Sequence, residues 1–413
     1  MEKLFFELLQ VAVGSRHSLS QVPSAREWGE LYTMAAKQAL IGVCFVGLQK
    51  LSNDNDDDTL RYDDCRPDGS INHTPSTINL PEALRLRWLG MAAKIQQRNQ
   101  VMTEECVRLS KQLAHGGFHC CILKGQSNLA YYPEDLREYR TAGDIDVLLR
   151  HKDDLGSIAL PIRYCLGQAT MRGKRAHVTY HHADLFWDGQ TEVEVHYRAT
   201  FLCSPLRSWR LQRWFRDNEQ WGLEDAKIDG CVFPVATVSF NAVYQLLHIN
   251  KHLFEEGIGL RQLLDYYFVL RALHIDQGEF FNRTQSMAQR AEGMGIVVKS
   301  NEEIMQTLSR FGMRKFTGAV MWVLAQVFAI PNEYLICKPN EKEGKFLLNE
   351  IMMAGNFGKY DERINHNGGQ FSHAIEKTKH NLRLLTHYPE EVLWEPFFRV
   401  YHWIWRRFEL WRY

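Results

Sequence analysis

The chain has 413 residues, 45% of them hydrophobic and 24% charged, with 49 Lys plus Arg against 49 Asp plus Glu. That apolar fraction predicts a large buried core and excludes global disorder, and the length predicts roughly two to three domains at about 150 residues each. A net charge of zero excludes a body that grips nucleic acid over its whole surface, because such binding is built on a basic footprint.

Residues 1 to 51 carry apolar positions at helical spacing, as in Trp28, Leu31, Tyr32 and Ala35. The N-terminus is apolar but interrupted by Glu7 and Gln10 and has no basic leader, so no signal peptide is expected. From Ser52 to Asn79 the composition changes to Asp54, Asp56, Asp57, Asp58, Asp63 and Asp64 among small polar residues. Such a stretch cannot bury enough surface to offset its ordering entropy and is expected to be a mobile loop. Its spacing lacks the Gly and closing Glu of an EF-hand calcium loop. Helical spacing resumes from Leu80 to His115, which gives a helical N-terminal region over 1–115.

The period then changes. Phe118 to Leu123 is a short apolar run of strand length, Gly125 to Tyr132 has the composition of a loop entering a helix, and Ile145, Val147, Leu148 and Leu149 mark a second strand. His177–Trp187 and Thr191–Arg198 are extended runs joined by Asp188-Gly189-Gln190, a strong hairpin signal. Residues 116–235 are therefore expected to form an α/β core. Beyond them the pattern is helical again, with helices expected over Val238–His252, Leu260–Leu273, Asn301–Gly312, Lys315–Ala329 and Glu341–Ala354. A Gly-rich loop from Gly355 to Gly369 and two final helices complete a helical C-terminal region over 236–413. In the last helix Phe397, Tyr401, Ile404, Phe408 and Trp411 form an apolar seam, expected to dock on the chain's own helices or on a second subunit, with membrane-surface binding as the alternative.

No apolar run reaches the roughly 18–20 residues that cross a bilayer. The nine cysteines are scattered with no CxxC pair, as expected for buried thiols in a reducing cytoplasm.

The central chemical signal is Asp144-Ile145-Asp146 before an apolar run. On a strand, residues i and i+2 project from one face about 6.7 Å apart. Two carboxylates so placed repel unless a cation lies between them, and Mg²⁺ takes carboxylate oxygens together with substrate phosphates. By the same repulsion, removing one carboxylate is expected to hold or raise the stability of the metal-free protein. Upstream, Leu123-Lys124-Gly125 ends an expected strand and opens an expected helix, whose N-terminus favours an anion. A Gly there lets backbone N–H groups approach phosphate, and Lys124 can neutralise its charge. Neither a Walker loop nor GxGxxG is present. Downstream, Glu192, Glu194 and His196 alternate along the later hairpin strand and share a face, with Val193 and Val195 opposite.

Taken together, Leu123-Lys124-Gly125, the block Arg140-Thr141-Ala142-Gly143-Asp144-Ile145-Asp146-Val147-Leu148-Leu149 and an acid on a later apolar strand resemble the polymerase-β-like nucleotidyltransferases. Within them they resemble most the uncharacterised bacterial nucleotidyltransferase family. The resemblance covers about residues 118–200 and departs from the usual Gly-Gly or Gly-Ser, since Gln126 separates Gly125 from Ser127. It implies an α+β fold, a polymerase-β-like core of mixed sheet and helices between helical N- and C-terminal regions. It further implies an enzyme moving an NMP group from an NTP to an acceptor hydroxyl with release of pyrophosphate, using Mg²⁺ or Mn²⁺. Asp144, Asp146 and Glu194 would be the catalytic metal ligands, with Glu192 the competitor for the third place. Lys124, Gly125, Ser127 and Arg140 would bind the nucleotide.

Other patterns weigh less. His248 and His252 have zinc-pair spacing but lack the neighbouring Glu of a zinc protease, so packing near the cleft is expected. Arg261 and Asp265 have the spacing of a helix-surface ion pair, and His177, His181 and His182 receive no role. Two rival functions remain: a glycosyltransferase whose DxD holds Mn²⁺ against a nucleotide sugar, and an inactive scaffold of the same fold. The acceptor, whether protein, small molecule, sugar or RNA end, is not identified by the sequence.

Overall fold

The computed structural model describes residues 1–56, 80–218, 223–291, 299–363 and 370–408. Six strands, β1 (Phe118–Leu123), β2 (Ile145–His151), β3 (His182–Leu185), β4 (Val193–His196), β5 (Leu223–Ile228) and β6 (Cys231–Ala236), form one mixed sheet in the order β3-β4-β2-β1-β6-β5. β1 lies inside the sheet, antiparallel to β2 and parallel to β6, and its nearly unbroken apolar sequence matches a strand covered on both faces. β2 runs parallel to β4, and the sheet is closed at its ends by the hairpins β3–β4 and β5–β6. The first is the hairpin signalled by Asp188-Gly189. The second turns at Asp229-Gly230, both at positive φ (50° and 82°), where Asp-Gly is the favoured pair.

Strand parity divides the sheet into two faces. Cys120, Ile122, Val147, Leu149, Val193 and Val195 belong to a core shared with Met102, Cys106, Leu109 and Leu113 of α4 (Glu82–His115). The opposite parity places Cys121, Leu123 and Leu148 in a second, helical core. That core is built from α1 (Glu2–Val13), α2 (Ala25–Lys37) and α3 (Ile41–Asp56) on one side of the sequence. On the other side it takes in α8 (Val238–Glu255), α9 (Leu260–Ala291), α10 (Asn301–Arg310), α11 (Arg314–Phe328) and α12 (Glu341–Ala354). The two sets share one interior, and the Ser15 hydroxyl donates to the Phe328 carbonyl at 2.8 Å. α6 (Ala159–Met171) packs against β2 and β3, Leu136 of α5 (Glu134–Arg137) and Leu211 and Phe215 of α7 (Pro205–Asn218) enter the helical core, and α13 (Gln370–Leu385) and α14 (Pro389–Phe408) follow α12.

The fold is thus α+β with a mixed sheet, as the sequence predicts, and α12 has the expected bounds. Several local expectations are corrected. The loop expected from Ser52 is helical through Asp56, and the rest of it, 57–79, lies outside the described residues. Gly125–Ala130 is a 3₁₀ turn rather than a loop leading into an α-helix. The seam of α14 does not dock on the chain's own helices: Phe397 is 67% and Phe408 65% exposed, Trp405 and Phe398 are the rings turned inward, Tyr401 is half exposed with its edge on Tyr180, and Trp411 lies outside the described residues. Among the described residues every cysteine is a free thiol, and no helix is long and apolar enough to cross a membrane.

Candidate active site

The parity that puts Leu148 in the helical core also points Asp146 and Asp144 away from α4. β2 and β4 are parallel neighbours with Asp146 opposite Glu194, so two acids from different strands meet by register alone. Asp144, Asp146 and Glu194 each offer a carboxylate oxygen, all within 4.8 Å of one another. Glu192 lines the same cleft but stays exposed and outside this cluster.

Lys124 closes the group from the end of β1, its Nζ 2.9 Å from Asp146 Oδ2. The turn that aims it uses positive φ at both Lys124 (32°) and Gly125 (51°), and for the lysine this conformation costs on the order of 1–3 kcal/mol. His196 Nε2 lies 2.8 Å from the other Asp146 oxygen and 3.6 Å from Glu194 Oε2. His182 Nδ1 is 3.3 Å from Glu194 and 3.1 Å from His181 Nε2, which the Lys251 ammonium approaches at 2.8 Å. A chain of polar contacts therefore runs from Lys124 through both acids to α8.

The charges follow this wiring. Burial favours the neutral Asp146 carboxyl, but the Lys124 ammonium and the His196 ring hold it below the usual carboxylate range. The Asp144 carboxyl is raised, first by the Asp146 charge and then by burial. Burial opposes the Lys124 ammonium, yet the carboxylates of Asp146, Asp144 and Glu194 raise it. His196 is likewise raised against its burial by bonds to Asp146 and Glu194. His182 is pushed down to about 3, first by burial and then by charge on His196.

Beyond these acids the predicted residues separate. Gly125 and Arg140 line a small polar cavity of about 40 Å³ beneath the acids. Arg140 is committed there: its Nε and a terminal nitrogen each meet Asp265 at 2.7 Å, and the Tyr132 hydroxyl donates to the same carboxylate at 2.7 Å. Arg261 donates to the Thr141 carbonyl at 2.8 Å, so Arg261 and Asp265 are buried braces rather than a helix-surface pair. Ser127 is fully buried with its hydroxyl donating back to the Lys124 carbonyl at 3.0 Å, outside the cleft lining. His248 and His252 line the cleft with rings 4.3 Å apart and belong to none of the potential metal groups among the described residues. His182 and His196 received no role from the sequence. The only signal was the position of His196 two residues after Glu194, on the same strand face.

The cleft holds about 750 Å³. Its near wall is Lys124, Asp144, Glu194 and His196, with Asp146 behind them in the small cavity, and its far wall comes from α8, Phe357 and α14, including Phe398, Arg399 and His402. A family model described as an uncharacterised nucleotidyltransferase matches residues 24–295, more than half of the chain. The chain belongs to the uncharacterised nucleotidyltransferase family. The stretch matched to that nucleotidyltransferase family holds Lys124, Asp144, Asp146 and Glu194, whereas Phe357 and α14 lie beyond it. No curated protein matches this nucleotidyltransferase-family chain. Among solved structures it is similar to an antigenic nucleotidyltransferase-like protein from Paracoccidioides brasiliensis, with 11% identity, 49% of this chain and 96% of that one covered, and a TM-score of 0.29.

Proposed function

We propose that the protein transfers an NMP group from an NTP to an acceptor hydroxyl, releasing pyrophosphate, with Mg²⁺ or Mn²⁺ as cofactor. The observation that carries this is the convergence of Asp144, Asp146 and Glu194 within 4.8 Å beside the Lys124 ammonium. The donor set fits a hard divalent cation: all three offer carboxylate oxygens, and the Asp144 carboxyl, raised by the Asp146 charge and by burial, has no cation of its own as close as the one Asp146 has in Lys124. Asp144, Asp146 and Glu194 would hold the metal, which supplies neutralisation of triphosphate charge and acidification of the acceptor hydroxyl.

The chain's own groups do the rest. Lys124 neutralises phosphate charge, and Gly125, at φ 51°, makes the turn that aims it. The acceptor oxygen forms a bond to the α-phosphorus, the bond from that phosphorus to the bridging oxygen breaks, and pyrophosphate leaves. The acceptor proton passes to Glu194, whose carboxylate His182 steadies at 3.3 Å. Arg140 contributes by fixing the backbone before Asp144 through Asp265. Most of the rate would come from positioning and charge compensation.

The test is incubation with each α-labelled NTP, Mg²⁺ or Mn²⁺ and a cell extract, with γ-labelled NTP in parallel. Label in an acceptor from the α-phosphate only, absent with Asp146→Asn, is the expected result. Transfer of the γ-label, or label from a UDP-sugar alone, would replace this function with a kinase or a glycosyltransferase.

A further inference from the structure

The outward face of α14 is apolar. Leu393, Phe397, Val400, Tyr401, Ile404 and Phe408 recur at steps of four, three and one residues, forming a single stripe, and they are between 43% and 67% exposed. Trp394 and Trp403 border it at 40% and 65%. These side chains present on the order of 800 Å² of apolar surface, about what one partner gives to a standard protein interface and more than a typical monomer leaves exposed in one patch.

The stripe has an internal symmetry. About a point between Val400 and Tyr401, Leu393 is reflected onto Phe408, Phe397 onto Ile404 and Val400 onto Tyr401. An identical helix laid antiparallel across it therefore meets an apolar residue at every level. Antiparallel packing also opposes the two helix dipoles.

We propose that this face binds a second copy of the chain, with the two α14 helices antiparallel about a two-fold axis passing between Val400 and Tyr401. Such a contact is isologous, each copy using the same patch. Because the inward face of the same helix gives Phe398, Arg399 and His402 to the cleft, pairing also braces the far wall of each site.

Sedimentation of the full chain across the micromolar range should give the mass of a dimer, and the double substitution Phe397→Glu with Ile404→Glu should halve it while leaving the far-UV spectrum unchanged. Should that variant fail to fold, Val400→Cys, nearly isosteric, keeps the proposal testable. It should cross-link to itself with diamide, whereas Trp209→Cys, equally exposed on α7, should not. A mass of one chain at every concentration would overturn the proposal, as would a dimer that survives both glutamates. A monomer that co-sediments with phosphatidylserine vesicles would assign the face to a membrane instead.

Discussion

The Lys124 ammonium and the Asp146 carboxylate form an ion pair, 2.9 Å from nitrogen to oxygen, where the end of β1 meets the start of β2. Asp146 is almost wholly buried and Lys124 largely so, and each is kept charged against its burial chiefly by the other. The near wall of the cleft is therefore charged but internally compensated.

This pair reverses an expectation drawn from the DxD spacing. Removing the Asp146 charge should not relieve repulsion but strand the Lys124 ammonium and take from His196 Nε2 its carboxylate partner. Asp146→Asn is expected to lower the stability of the metal-free protein by about 3 kcal/mol while abolishing label transfer. Asp144→Asn should instead hold or raise stability, because its carboxyl is raised first by the Asp146 charge. Denaturant unfolding of both variants checks this, and equal effects would show that the pair is not the controlling contact.

Lys124→Met should weaken nucleotide binding roughly tenfold to a hundredfold, the worth of one charge-assisted contact. The effect should appear as a raised KM with a smaller change in kcat, since the phosphates it meets are already present in the ground state. Titration with NTP monitored by thermal shift measures the binding directly. An unchanged affinity would remove Lys124 from the nucleotide site.

The third acid is separable from its neighbour. Glu194→Gln should lose transfer by a factor of at least about 100, while Glu192→Gln, two residues earlier on the same face and outside the cluster, should stay within about threefold of the native rate. Loss in the Glu192 variant alone would move the role by two residues.

Arg140→Ala should cost about 3–5 kcal/mol, because it leaves the Asp265 carboxylate and the Tyr132 hydroxyl buried around an absent cation. Arg140→Lys should recover only part of this, since an ammonium cannot reproduce the two-pronged contact. Equilibrium unfolding decides it. A phosphate-binding Arg140 would instead show normal stability and weakened NTP binding.

Acidification should destabilise the fold before carboxylates begin to titrate. His181, His182, His248, His252, His380 and His402 are each held below the ordinary imidazole value of 6.5, first by burial. Near that pH the unfolded chain takes up protons that the native chain refuses, so stability rises with pH across this window and falls as pH drops through it. His196 opposes them: its raised value makes its contribution full below 6.5 and lost above its folded value. Six groups against one leave a net loss from about pH 7 to about pH 5.5, with a ceiling near 1.4 kcal/mol per pH unit for each net proton. Unfolding midpoints at these two pH values measure it, and a midpoint that rises on acidification would contradict it.

Much of this site was legible because strand parity is rigid. The run Phe118–Leu123 is β1 to the residue, and the same-face rule on β2 and β4 brings Asp146 and Glu194 together once the strands are neighbours. The Asp229-Gly230 hairpin carried the same signal as the one at Asp188-Gly189 but stood outside any apolar alternation strong enough to expose it. The roles of His182, Lys251 and Asp265 were not legible, because each depends on which elements pack together rather than on local spacing. Arg140 shows the limit most plainly. Its place just before two acids suggested phosphate, whereas a helix 125 residues later supplies its partner.

The far wall carries a consequence for the order in which the protein becomes competent. Glu391 of α14 accepts the backbone N–H of Cys203 across 188 residues, and the cleft shuts on that side only through such distant contacts. During synthesis the acids, Lys124 and the sheet emerge and can pair well before α14 exists. A growing chain therefore passes through an interval in which the acids and α8 have been made but the part of the opposite wall that α14 supplies has not.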